Sequence, residues 1–147
     1  MKNVLFFLCL VMISCNNNDD DDANETGDKD SSAIHYNGVY SSEIIVNENT
    51  GDKSIRYLRF YDDGTLISVS TMGTPKEISK WFVKGHENLS QGTYTIEQDN
   101  ISFTAGDNNV DVEYKGKIIS KQTLQLHTKS LSNNNEADIT YSFVKDE

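Results

Sequence analysis

The chain is poor in the residues most chemistry needs. Among 147 residues there are two cysteines, one proline and three histidines. Cys9 sits inside an apolar N-terminal run and Cys15 directly after it, so no thiol occurs beyond residue 15. That excludes disulfide staples, a thiol nucleophile and thiolate metal ligands from the remainder of the chain. The histidines, His35, His86 and His127, show no metal-ligand spacing. No serine lies in a Gly-x-Ser-x-Gly elbow, and there is no P-loop or dinucleotide fingerprint. No cofactor is therefore expected. Positive charge is also scarce, with 13 Lys and Arg against 23 Asp and Glu and a net charge of −10. Without a basic stripe to displace counterions from phosphates, nucleic acid is excluded as a partner. No apolar run reaches the ~20 residues that a membrane-spanning helix needs.

What is present begins with a secretory signal. Lys2 gives a short positive start, and residues 4–13 are almost wholly apolar. Such a segment is removed on export and takes no part in the fold. Ser14 then precedes Cys15, and the chain passes at once into three asparagines and four aspartates, residues 16–22. Residues 16–32 hold seven acids (Asp19, Asp20, Asp21, Asp22, Glu25, Asp28 and Asp30) and one base, Lys29. A segment so charged and so poor in apolar residues reads as a disordered, self-repelling tether. An acidic metal-binding run is the alternative, but nothing there fixes the carboxylates in a shell.

The Met12-Ile13-Ser14-Cys15 stretch resembles the lipobox of bacterial lipoproteins. The resemblance implies that the Cys15 thiol is acylated and that the signal is cut before it. The acidic cluster just after the cysteine resembles the export signal of Bacteroidota surface lipoproteins. It implies an outer-membrane lipoprotein facing the cell exterior, with the membrane as a partner through the anchor at Cys15. A plain secreted protein is the alternative. The expected organisation is a signal over residues 1–14, a lipidated, acidic tether over 15–33, and one domain over 34–147. From Ala33 onward there are 11 basic and 16 acidic side chains. About 115 residues suffice for one self-supporting core.

Short alternating runs rich in tyrosine and β-branched residues fill that domain, separated by turn signals. They are residues 38–46, 54–61, 65–72, 93–98, 101–105, 110–118, a pair at Leu124 and Leu126, and a last run through Ile139, Tyr141 and Phe143. Asp63-Gly64 marks a tight turn, so the second and third runs form a hairpin. Thr74-Pro75-Lys76-Glu77 has the N-cap, first-turn proline and third-position Glu of a helix start. Ile78, Trp81 and Phe82 follow as one apolar stripe, giving a helix of about nine residues that could plug one end of the domain. The fold predicted is all-β: an eight-stranded antiparallel up-and-down meander barrel with one short helix after the third strand. A β-sandwich is the structural rival.

Gly38-Val39-Tyr40 is similar to the Gly-x-Trp opening of lipocalins. The YLRFYDDGT and GTYTI runs resemble those of lipocalin-like, or calycin-like, bacterial lipoproteins. The resemblance spans residues 36–145 and implies a barrel that holds one small ligand.

The candidate cavity lining is Arg56, Leu58, Phe60, Ile67, Val69 and Phe103. Alternation puts Arg56 on the face of Leu58 and Phe60, where a guanidinium needs a carboxylate or ligand unless it reaches water at a rim. Tyr57, Tyr61, Trp81 and Phe82 either line a mouth or serve as ordinary core. Asp107, Asn109, Asp111 and Glu113 alternate as if for calcium, without the glycine and spacing of an EF-hand. An exposed strand face is the plainer reading. Glu43 and Glu113 are carboxylates any strand set can pair, and no acid–base geometry is legible. Three functions compete: a non-catalytic barrel for a small apolar ligand; a solid-packed interaction or structural subunit of a surface complex, with Tyr57 and Tyr61 as an exposed patch; and an enzyme, which no catalytic constellation supports.

Overall fold

The structure, a computed structural model, describes residues 32–47, 50–85, 89–106 and 110–147. The signal, Cys15, the acidic run as far as residue 31, His86, Asp107 and Asn109 lie outside the described residues. Ser31–Glu147 forms one compact unit. Its strands are β1 (Gly38–Ser42), β2 (Ile45–Val46), β3 (Lys53–Phe60), β4 (Thr65–Thr71), β5 (Ser90–Glu97), β6 (Asn100–Gly106), β7 (Asp111–Ser120), β8 (Thr123–Ser130) and β9 (Glu136–Lys145). One helix, α1 (Pro75–Ile78), separates β4 from β5. From β3 onward each strand pairs antiparallel with the next, and β1 pairs with both β9 and β3. Eight strands thus close an up-and-down barrel, with β2 as one extra strand on β3. This closure rules out the sandwich.

The helix follows the fourth strand, not the third, because the first predicted run is broken in two. Tyr40 pairs with Leu58 but Ile45 pairs with Ser54, so the register slips by one residue at Glu43-Ile44. At that bulge the Arg56 N–H donates to the Ser42 hydroxyl at 2.9 Å, a side-chain acceptor in place of a carbonyl.

The barrel interior is aromatic. Tyr40, Phe60, Phe103, Tyr114 and Tyr141 pack with Leu58, Leu66, Ile101, Leu124 and Leu126. Gly92 and Gly116 make room for this at the corners of the wall. A Cβ on Gly116 would overlap the Gln125 carbonyl of β8, and one on Gly92 the Thr104 carbonyl of β6. Outside, β5 to β9 present Thr93, Thr95, Thr104, Lys115, Lys117, Gln125, His127, Asp138 and Thr140 to solvent. A barrel that crosses a bilayer would show an apolar band there instead.

One end is stopped by residues 34–36. Ile34 is fully buried in the core, and His35 stacks on Phe143 at 4.3 Å. The His35 N–H donates to Tyr40 Oη (2.9 Å), which donates to the Lys121 carbonyl (2.7 Å). Close by, the Asp146 N–H donates to the Asn37 carbonyl at 3.0 Å.

The helix does not plug an end. It lies on the outer wall, where Ile78 and Phe82 pack against Val39, Tyr57, Ile67 and Val69. The predicted capping box is present: Glu77 N–H donates to Thr74 Oγ1, and Thr74 N–H to Glu77 Oε2. Only Pro75–Ile78 is α-helical, and a 3-10 turn, Ser79–Trp81, follows. The tighter winding takes Trp81 off the predicted stripe, leaving it 42 % exposed. Tyr57 and Tyr61 form no exposed patch. Tyr57 is buried and donates to the Gly73 carbonyl, and half-buried Tyr61 donates to the Phe82 carbonyl.

The β3–β4 turn carries the first testable charge. Gly64 adopts φ +82°, and Asp63 accepts from the Thr65 N–H and hydroxyl and from Lys84. Lys84, then Thr65, hold the Asp63 carboxyl below its ordinary 3.8, at about 2. A depressed carboxylate contributes stability that is present above its unfolded value and lost as pH falls through the folded one. The stability advantage of wild type over Asp63→Asn should therefore be constant above about pH 4 and shrink between about pH 4 and 2 in urea titrations. A pH-independent difference across that window would refute it.

Candidate functional site

Cross-strand register decides which side chains face inward. Leu58 lies opposite Ser68, Phe60 opposite Leu66 and Arg56 opposite Ser70. Arg56, Leu58 and Phe60 therefore share the inner face, as predicted, and Phe103 joins them in the core. Ile67 and Val69 do not join that core; both fall in the outer cluster beneath α1. A two-residue Asp63-Gly64 turn would have set Phe60 opposite Ile67. The observed turn is longer, with the Tyr61 N–H bonded to the Thr65 carbonyl, and a shift of one residue moves every side chain to the other face.

Away from the stopped end, the interior opens into a cleft of about 440 Å³. Arg56, Ser68 and Tyr114 form its inner part, Ser70 and Ser90 flank it, and Val69 borders it. Its apolar walls are Trp81, Leu89, Val110 and Val112. Trp81 comes from the 3-10 turn after α1 and Val110 from the approach to β7, so two loops supply the rim. Tyr114 stacks on Phe103 at 4.5 Å, which fixes its ring. Sequence reasoning missed the serines and Val112. Their signal was present in the small polar alternation of Ser68 and Ser70, which is legible only once the register is known.

Two polar atoms lie buried beneath this cleft, Arg56 Nη1 and Tyr141 Oη, and no third group bonds either of them. Burial dominates and pushes the Tyr141 hydroxyl upward, keeping it protonated, while the Arg56 guanidinium beside it opposes that shift through its charge and a side-chain hydrogen bond. Among the described residues no carboxylate pairs with Arg56, while Arg59 on the opposite face has Asp146 at 2.7 Å.

The remaining candidates sit elsewhere. Among the described residues, no group of three or more His, Cys, Asp or Glu could hold a metal ion. His127 lies on the outer wall, 2.8 Å from Asp138, and His35 belongs to the stopped end. Glu113 is paired with Lys115 at 2.7 Å, while Glu43 and Asp111 are exposed. A hollow of about 540 Å³ lies between residues 74–79 and 144–147. Three of its four charged side chains are already paired, Lys76 with Glu147 at 2.9 Å and Asp146 with Arg59. The chain matches no protein-family model, no curated protein and no solved structure.

Proposed function

We propose that this chain is a surface lipoprotein, anchored in the outer membrane through Cys15, whose barrel binds a small, largely apolar ligand without catalysing a reaction. The cleft supports the binding role. It is concave, walled by Trp81, Leu89, Val110 and Val112, and has a few converging polar groups at its base, the general form of small-molecule sites. Its volume falls within the ~300–1,000 Å³ usual for such sites. The lipobox-like stretch and the acidic run after it support the anchor, since several acyl chains hold where one does not.

Native mass spectrometry of residues 33–147, isolated from the host without detergent, tests the ligand. A reproducible added mass lost on denaturation is expected. A bare monomer that also takes up no added amphiphile would count against binding. The anchor is tested separately, by Cys15→Ser, which should release the protein from membranes; unchanged membrane retention would remove the anchor from the proposal.

A second reading, an interaction subunit of a surface complex, draws on β2. Among the described residues this two-residue strand pairs only with β3, and Ile44 just before it and Val46 within it are more than half exposed. Such an edge can accept a strand from another chain. Crosslinking from Val46→Cys to one specific neighbour, with an empty cleft, would favour it.

A further inference from the structure

The barrel wall is not equally closed along its height. β1 pairs with β9 only as far as Ser42 opposite Tyr141. Past the bulge at Glu43-Ile44 the chain stays with β3 as β2. β9 meanwhile runs on over residues 136–140, paired there with β8 alone among the described residues. Successive residues of an antiparallel strand turn their main-chain groups to opposite neighbours. The Ala137 carbonyl faces β8, where it accepts from Thr128 Oγ1 at 3.1 Å. The N–H and C=O groups of Glu136 and Asp138, on either side of it, therefore face the side that β1 has left. The charges of the outer wall have an order that stops at the same edge. From β7 through β8 to β9, Glu113 lies opposite Lys129 and Lys129 opposite Glu136. In the next outward row, Lys115 lies opposite His127 and His127 opposite Asp138. Both rows end on an acid, and the Asp138 side chain stays 89 % exposed although His127 lies 2.8 Å away. Glu43, where β1 departs, is exposed too.

We propose that this edge of β9 takes an extended segment of another protein as an added strand, with basic side chains two residues apart on its outer face and apolar ones between them. This deepens the interaction-subunit reading and rests on it; the cleft plays no part. Main-chain hydrogen bonds at Glu136 and Asp138 supply the attachment, and alternate side chains supply the selection. On the outer face a base opposite Glu136 and another opposite Asp138 continue both charge rows, since opposite charges across a ladder stabilise and like charges repel. On the inner face the apolar side chains meet Ala137 and Ile139, and Ile139 already packs against the core. Ile44 and Val46, both more than half exposed, add apolar surface where the chain turns away. Charge rules out the two occupants nearest to hand. The chain's own residues 16–32 carry seven acids and one base. A second copy laid antiparallel on this edge and centred there would set Asp138 against its own copy or against Glu136.

The test is fluorescence anisotropy of three short labelled peptides with the compact unit Ser31–Glu147. One peptide alternates lysine with valine. One alternates glutamate with valine. The third is the lysine peptide methylated on its lysine backbone amides, which keeps the charge and removes the donors that would face β9. The lysine peptide should bind, and the other two should each bind about tenfold or more weaker. The Asp138 amide should gain hydrogen-exchange protection in the lysine-peptide complex. Asp138→Lys should weaken that complex about fivefold or more. Equal binding of the methylated peptide would overturn strand addition and leave only charge attraction. Equal binding of the glutamate peptide would overturn the basic partner. No binding of any peptide, with the fold intact by circular dichroism, would overturn the proposal, whereas a specific crosslink from Val46→Cys on the native surface would still uphold the interaction reading without this edge. If Asp138→Lys fails to fold, the three peptides on the wild-type unit still decide.

Discussion

Phe60→Ala is expected to lower the unfolding free energy by about 3–5 kcal/mol, the largest loss from any single truncation discussed for this barrel. Phe60 is fully buried. Its ring meets Tyr94 edge-on at 5.1 Å, Tyr40 at 5.6 Å and Phe103 at 5.7 Å. Each such geometry adds to simple area burial. The three neighbours come from β5, β1 and β6, on opposite sides of the barrel, so no small backbone movement closes the gap. Tm should fall by more than about 10 °C. Trp81→Ala, at the exposed rim, should change stability by less than about 0.5 kcal/mol. A loss below about 1 kcal/mol for Phe60→Ala would mean that the interior re-packs freely.

Gly116→Ala should also destabilise, by about 2 kcal/mol or more, although a glycine-to-alanine change in a strand ordinarily stabilises by about 0.4–1 kcal/mol through the unfolded chain. The sign is therefore diagnostic. Gly116 pairs with Leu126 on one side and Ile101 on the other. A single added carbon would meet backbone atoms of β8, the Gln125 carbonyl and the Leu126 Cα. Backbone cannot rotate aside as a flexible side chain can, so β7 and β8 must separate and ladder hydrogen bonds must lengthen. The measurement is a urea midpoint at unchanged slope. A raised midpoint would mean that β7 has room at this corner and that curvature is set elsewhere.

Much of the barrel could be read from local pattern. Hairpins joined by short turns, such as the one around Gly64, specify antiparallel neighbours in chain order, and eight such strands invite closure. The Thr74 cap was legible because it involves only four consecutive residues. What escaped reading depends on contacts distant in the chain. The break at Glu43-Ile44 exists because β1 must pair with β9 as well as β3, and β9 begins almost a hundred residues later. The inward face of β4 hung on one residue of turn length. Ile67 and Val69 looked like interior because they are the larger apolar pair, yet α1 covers them from outside. A strand apolar on both faces is one covered on both sides. At the cleft, Arg56 was legible from alternation alone, while its nearness to Tyr141 was not, since 85 residues of chain separate them.

The stopped end of the barrel has a practical corollary. Residues 34–36 fill it, and Asp146 is bonded to Asn37 beside them, so the folded unit begins and finishes within a hydrogen bond of one place. Every segment around the cleft is an internal connection. Either terminus can therefore be immobilised on a sensor surface, or fused to a carrier, with the opening unobstructed. A short linker joining the two termini, with new ends cut between β8 and β9, should give a circular permutant that retains the same strand order around the barrel.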